Sequence, residues 1–443
     1  MVDMVNWREY YQKRTISAEE AAKMVKSNDY IIFTTGREAT TVGKAIAARK
    51  SELKGIKMLI PSPINDFGWY APEWADIFEI IVGMPTGISQ QMIDDRRCDL
   101  IPSGHIPLLE LPYGPPDILL TEVSAPNAQG FCSFGNSVWN KKNQIREAKL
   151  VIAEINDKLV WPHGETTIHC SEIDYFVLHA QTGREPGKGT LAGRAVRQEI
   201  PEYVKTITAN VNSLLRDRDC IQIGIGRTTE PMVRLGMLQG KNDIGYHSEA
   251  TPPGIVTAVK DGIITGKYKN INTDKCVCTS LGGGTKEEME WADNNPSFHL
   301  VNLEYLEDVR VISAHDNMVA INNCLAVDLR GQITAESLGP KLFSGAGGQI
   351  PFVMAAFLSK GGRAITVMPS TAQDGKVSRI VPFFPEGTVV TIQMHLAHYI
   401  VTEYGIADLR AKTARQRAEA LINIAHPDFR DELRKQAKKL LWP

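Results

Sequence analysis

At 443 residues the chain is too long for one comfortable core, and its length predicts two or three domains of about 100–200 residues each. Hydrophobic content of 43% and charged content of 23% are those of an ordinary soluble globular protein. A formal net charge of −2 provides no polyanion-binding surface, which argues against nucleic acid as a partner.

The amino terminus, MVDMVNWREYYQ, carries charge and lacks the apolar run of a signal peptide. SAEE (17–20) has an N-cap serine and a glutamate three residues on, the signature of a helix start. YIIFTT (30–35) is a β-rich apolar run, and GREATTVGKAIAARK turns helical after Gly36. DILLTEVS (117–124) and KLVIAEIN (149–156) repeat the theme as short apolar runs of the kind buried in parallel sheets. Helices or loops separate them, so the first half reads as α/β. HAQTGREPGKGTLAGR (179–194) then changes composition to glycine, proline and charge without periodicity. It divides the chain into an N-terminal domain (1–185), a linker (186–200) and a C-terminal domain (201–443). A long surface loop within one domain is the alternative.

Beyond this segment the α/β rhythm resumes. DCIQIG (219–224) reads as a strand, 229–238 as a helix and DIGYHS (243–248) as the next strand. Pro252 and Pro253 suit the first turn of a following helix, on which Ile255, Val259 and Ile263 form an apolar face. Strand, glycine turn, helix, strand is a βαβ unit, and its strands are expected to be parallel. The segment 407–440 reads as helical, broken at His426-Pro427, with Arg410, Lys412, Arg415 and Arg417 on a solvated face.

Cys98, Cys132, Cys170, Cys220, Cys276, Cys278 and Cys324 are odd in number and dispersed. Cys276 and Cys278 lack C-x-x-C spacing and lie in a strand-like segment, so two buried thiols are expected rather than a metal or redox site. Together with the absence of a run of about 18 apolar residues, this predicts a cytoplasmic protein without a membrane span.

Ligands of open parallel sheets collect beyond the carboxyl ends of the strands. Two features fit that place: the turn GIGRTT (224–229) and Glu249 in GYHSEATPPG. GIGRTT lacks the third glycine of a dinucleotide fingerprint, which disfavours a nicotinamide-dependent oxidoreductase. It leaves a backbone that approaches a ligand or, equally, a structural tight turn. FSGAGGQIPF (343–352) places glycines before a helix, where backbone N–H groups form an anion nest or oxyanion hole. LGGGTKEE (281–288) is weighed mainly as a turn. His247 shares a strand face with Glu249, but no further histidine or cysteine cluster supports a metal, and a packed, hydrogen-bonded histidine is expected. A lone carboxylate beside N–H donors, without metal or base, suits nucleophilic catalysis of acyl transfer.

At this point the sequence resembles the class I coenzyme A transferases, and within them the acetyl-CoA hydrolase/transferase family that includes 4-hydroxybutyrate and butyrate:acetate CoA-transferases. The resemblance rests on SAPNAQGFCSFG (124–135), AKLVIAEIND (148–157), GIG with HSE some two dozen residues later, DNMVAINNCLAVDLRGQITAES (316–337), FSGAGGQIPF and VTEYGIADLR (401–410). It implies an α/β fold of two domains, each a mainly parallel sheet flanked by helices. It also implies ping-pong transfer of CoA between an acyl-CoA and a small carboxylic acid, through a glutamyl-CoA thioester on Glu249. By the same resemblance Gly224, Ile225, Gly226, Arg227 and Thr228 form a CoA-binding loop. Gly348 supplies an oxyanion-hole N–H with the Asn322 amide beside it, and Ser344 and Lys360 contact CoA. Glu403 lies near the acyl or carboxylate substrate, with a structural ion pair as its alternative. The implied partners are acyl-CoA and short carboxylic acids, with no metal, no permanently bound cofactor, and a homodimer or higher homo-oligomer.

Two departures from the family pattern stand near the implied acyl pocket. Ala250-Thr251-Pro252-Pro253 replaces the usual Met and Ser-Asp-Gly after the glutamate, and Arg227 occupies a position commonly small. They suggest an altered acid preference, in which Arg227, or Arg37 in TTGRE, pairs with the second carboxylate of a dicarboxylate such as succinate or itaconate. A solvent-facing Arg227 on a CoA phosphate is the alternative. The competing functions are an acyl-CoA hydrolase using the same glutamate and a non-catalytic CoA-binding protein.

Overall fold

The apolar runs of the first half pair side by side. The computed structural model of the protein describes residues 6–102, 111–179, 200–282 and 284–441. Its chain forms two compact units, Met1–Arg194 with Thr279–Glu304, and Ala195–Cys278 with Tyr305–Pro443. Residues 279–304, expected in the second domain, pack with the first: Leu281 N–H donates to Asn136 O, and Asn136 Nδ2 returns a bond to Leu281 O. All but the last residue of the expected linker, 186–200, lies outside the described residues.

In the first unit the sheet runs Thr15–Ile16, Tyr175–Leu178, Val151–Ile155, Ile118–Val123, Tyr30–Phe33, Ile56–Ile60, Phe78–Val82, Asp99–Leu100. Every neighbouring pair is parallel. Its central strands are buried at every position, which is why they read as unbroken apolar runs. Alternate residues feed opposite cores: Ile31 and Phe33 pack with Trp69 and Phe78, while Tyr30 and Ile32 pack with Phe134 and Phe176. Ser17 and Glu20 close the capping box read from the sequence.

In the second unit the neighbours run Cys276–Cys278, Gly245–His247, Cys220–Ile223, Met318–Asn323, Arg363–Val367, Tyr399–Thr402, Gly405–Asp408. All these pairs are parallel except the last, a hairpin whose two-residue turn is Glu403-Tyr404. From Cys220–Ile223 the chain winds first one way, to Gly245–His247 and Cys276–Cys278. It then returns to the other side of Cys220–Ile223 with Met318–Asn323 and proceeds outward. The winding therefore reverses between Cys220–Ile223 and Met318–Asn323, which is where an open α/β sheet leaves its crevice.

Several sequence expectations change here. The segment 229–238 is a succession of turns instead of a regular helix. Pro231 lacks a backbone N–H, and Gly236 adopts a positive φ of 90°. The prolines at 252 and 253 precede the next helix without opening it. Proline at 253 disfavours helical geometry at 252, and Gly254, left-handed at φ 99°, caps the helix Ile255–Lys260. The buried side of that helix is Ile255, Val256 and Ala258, and Ile263 falls beyond its end. Further on, 405–408 is a strand, and the expected terminal helices are Ala414–Asn423 and Pro427–Leu441. Of the four cations read as a solvated face, Arg417 is half-buried and donates to the Met394 and Arg330 carbonyls.

Candidate active site

Glu249 stands two residues beyond the end of Gly245–His247 and is half-buried. The turn that carries it is held from both sides. Ser248 Oγ bonds the Ile223 backbone at 3.2 and 3.3 Å, fastening the turn to the end of the adjacent strand. The buried Tyr246 hydroxyl donates to Ala250 O at 2.8 Å. His247 is fully buried, and its Nε2–H donates to Leu306 O at 2.8 Å. Burial, with Lys269 and His315 adding to it, pushes the His247 pKa well below its ordinary value, so the ring is neutral. It is the packed histidine expected. Among the described residues no group of His, Cys, Asp or Glu is arranged to hold a metal.

Facing Glu249 is the glycine loop before the helix Gln349–Leu358. Gly348 occupies the N-cap with φ −76° and ψ 2°, a conformation open to any residue. Space is what demands glycine there. A Cβ on Gly348 would lie 2.6 Å from Glu307 Oε1, 2.9 Å from Glu249 Cδ and 3.0 Å from Glu249 Oε2. Two carboxyl groups therefore converge on one helix N-terminus, where backbone N–H groups and the helix dipole favour negative charge. Glu307 is buried and hydrogen-bonded to Glu249. Burial first, and the Glu249 charge second, push the Glu307 pKa well above the carboxylate range. Glu307, the more buried of the two, thus keeps the proton that the pair shares.

The crevice strand ends carry the amides. Asn322 and Gln222 form a reciprocal pair, with Nδ2 to Oε1 and Nε2 to Oδ1 both at 3.0 Å. One Asn322 N–H is thereby committed to Gln222. Asn323 Nδ2 donates to Thr229 Oγ1 at 2.7 Å, and its Oδ1 accepts from the Thr229 N–H at 3.3 Å. Gly224 and Gly226 lie directly against these asparagines: a Cβ on either would collide with the Asn322 or Asn323 amide. Both glycines of the GIG turn are thus explained by close packing within the turn, which leaves their approach to a ligand open.

The remaining candidates divide. Arg227 is exposed on the GIG turn, with Ile225 half-buried and Thr228 buried beside it, and Ser344 is half-buried in the Gly348 loop. Glu403 lies on the carboxyl edge too, four strand positions from the Glu249 strand, about 19 Å by strand spacing. Its carboxylate accepts from Ser370 N–H at 2.9 Å and Ser370 Oγ at 2.6 Å, hydrogen bonds and not the ion pair weighed as its alternative role. Lys360 is not brought to Glu249. It follows the far end of the helix that Gly348 begins, about 15 Å along the axis, and pairs with Asp316 at 3.6 Å. Arg37, pictured as reaching a second carboxylate, is buried in the first unit. Its guanidinium donates to Glu122 at 3.2 Å and to Asn136 at 3.4 Å.

Glu307 was missed. Nothing in the spacing of LEYLED (303–308) links Glu307 to Glu249. A carboxylate that follows the apolar Leu303 and Leu306 is the local signal, and by itself it does not separate a buried group from a surface one.

Residues 109–182 match the acetyl-CoA hydrolase/transferase N-terminal domain, and 284–437 match the C-terminal domain of the same family. The 4-hydroxybutyrate coenzyme A transferase of Clostridium kluyveri is 36% identical over 98% of this chain and 100% of its own. The chain belongs to the acetyl-CoA hydrolase/transferase family. Butyryl-CoA:acetate CoA-transferase of Anaerostipes caccae is 34% identical over 99% of both chains. The crystal structure of RipA from Yersinia pestis superposes with a TM-score of 0.87 at 28% identity, covering 99% of this chain and 100% of that one.

Proposed function

We propose that the protein is a CoA-transferase that moves CoA between a short-chain acyl-CoA and a small carboxylic acid, with Glu249 as the covalent carrier. The carrying observation is the placement of Glu249 against the N-terminus of the helix Gln349–Leu358, at the carboxyl edge of the parallel sheet. Membership of a family whose relatives include 4-hydroxybutyrate and butyryl-CoA:acetate CoA-transferases supports the same reading.

A carboxylate oxygen of Glu249 attacks the thioester carbonyl, the C–S bond breaks, and CoA leaves as thiolate from a mixed anhydride. The thiolate then attacks the glutamyl carbonyl and expels the donor acid as carboxylate, leaving CoA on Glu249. An acceptor carboxylate runs the two steps in reverse and departs as the new acyl-CoA. No proton has to be removed from a nucleophile, which suits a site without an adjacent base. Each tetrahedral intermediate carries an oxyanion. Gly348 N–H and the second Asn322 N–H are its donors, each of the kind whose loss lowers kcat about 10²- to 10³-fold. Gly224, Ile225, Gly226, Arg227, Thr228 and Ser344 frame the CoA side. Binding energy from the remote nucleotide of CoA is available to drive the strained central steps.

Incubation with butyryl-CoA and acetate tests the reading. Acetyl-CoA should appear with no net rise in free thiol. Thiol release at the same rate without any acid would instead establish the hydrolase, in which water resolves the same thioester.

A further inference from the structure

We propose that Glu307 is a positioning residue for Glu249: its carboxyl O–H donates to one oxygen of the Glu249 carboxylate and leaves the other oxygen aimed at the thioester. The proposal rests on the reading of Glu249 as nucleophile. Its basis is geometric. The two carboxyl groups meet over the Cα of Gly348, within 2.6 Å and 3.0 Å of the point a Cβ would occupy, so neither can swing toward the loop without striking backbone. Glu307 stands immediately before Asp308, the N-cap of the helix Val309–Ser313, whose side chain accepts from Arg310 N–H. His247 grips the preceding residue through Leu306 O. The backbone carrying Glu307 is therefore anchored on either side.

The charges around the pair favour one shared proton. Burial acts first on Glu307, and the Glu249 charge adds to its effect. The neighbouring imidazoles do not supply a cation. His247 is held neutral, and His315, its ring tilted against that of His247 at 5.1 Å, has a pKa pushed down to about 3 by burial. The Lys269 ammonium is turned away onto the Tyr246 and Lys275 carbonyls at 2.9 and 3.0 Å. Two carboxyl groups this close, with Glu307 buried, do not both ionise, so Glu307 holds its proton through the whole cycle. The negative charge of Glu249 passes to the CoA thiolate as the anhydride forms and returns when the new acyl-CoA departs. In the glutamyl thioester the same O–H donates to the glutamyl carbonyl oxygen. Where Glu307 ionises, the donor disappears and two carboxylates face each other, so the attacking oxygen is no longer fixed.

The test compares wild type, Glu307→Gln and Glu307→Ala. Rates of Glu249 adduct formation with butyryl-CoA and kcat/KM would be followed from about pH 6 to 10. Glutamine keeps a donor of the same size that cannot ionise. It should retain adduct formation within about threefold at neutral pH and lose the alkaline decline that wild type shows. Alanine lacks the donor and should form the adduct about 10- to 100-fold more slowly at every pH, still on Glu249. An unchanged alkaline decline in Glu307→Gln, or wild-type rates in Glu307→Ala, would overturn the proposal. No adduct in the wild type would overturn the reading of Glu249 itself, and this proposal with it.

Discussion

Gly348 illustrates how a single residue is fixed by the groups around it. Its backbone angles suit any amino acid, yet the volume a methyl group would fill is already bounded by Glu307 and Glu249. Gly348→Ala should therefore lower the thermal midpoint modestly, because a methyl group is forced against the buried Glu307. It should lower kcat about 100-fold or more by displacing the nucleophile, since a misplacement of about 1 Å in a reacting group has that effect. A kinetic assay beside a thermal melt checks both halves. The sequence offered Glu249 and this loop because glycine clusters and an isolated carboxylate at a strand end carry local signals. Glu307 gave none, because its meaning depends on a partner 58 positions away in the chain. Lys360, a CoA contact by family resemblance, stands beyond the far end of the same helix, so the resemblance and not local spacing is what links it to the site.

Among the elements, the GIG turn and the end of the strand Met318–Asn323 behave as one piece. Glycines in the turn make room for two asparagine amides, and Asn323 ties Thr229 back onto the loop. Gly226→Ala should push Asn323 off Thr229 and deform the GIG turn, proposed to hold CoA, without touching Glu249. The expected result is a KM for acyl-CoA raised about tenfold, with kcat within about threefold, read from initial rates. Strands of this sheet were legible because burial on both faces writes them as continuous apolar runs. The segment 229–238 was not. Its composition favours a helix, but Pro231 and Gly236 act on hydrogen bonds that periodicity does not register. The short helix Ile255–Lys260 likewise begins at a left-handed glycine, where the proline pair suggested an earlier start.

For the molecule as a whole, the parallel sheets were readable from the alternation of strands and helices. The return of residues 279–304 to the first unit was not, since it depends on contacts such as that between Asn136 and Leu281. The first unit also buries charge, and this makes stability depend on pH. Lys141 is fully buried, and burial pushes its pKa down from 10.5 to about 7; Arg37 lowers it further while Glu122 opposes the shift. The unfolded chain binds this proton up to its ordinary pKa, while the folded chain releases it near 7. The destabilising effect is therefore complete below pH 7 and fades as pH rises toward 10.5. Lys141→Met should stabilise the protein by about 1–4 kcal/mol at pH 6, with a smaller gain at pH 10. Denaturant unfolding at the two pH values measures the difference. Glu122 remains paired with Arg37 and Asn156 in that variant.

The most direct test of the account is the intact mass of the protein after brief exposure to butyryl-CoA, followed by peptide mapping. The account predicts a CoA-sized adduct on the peptide bearing Glu249, absent in Glu249→Ala and discharged by acetate with formation of acetyl-CoA. A protein that turns over butyryl-CoA and acetate with its adduct on another residue, or that retains transfer activity as Glu249→Ala, would contradict it.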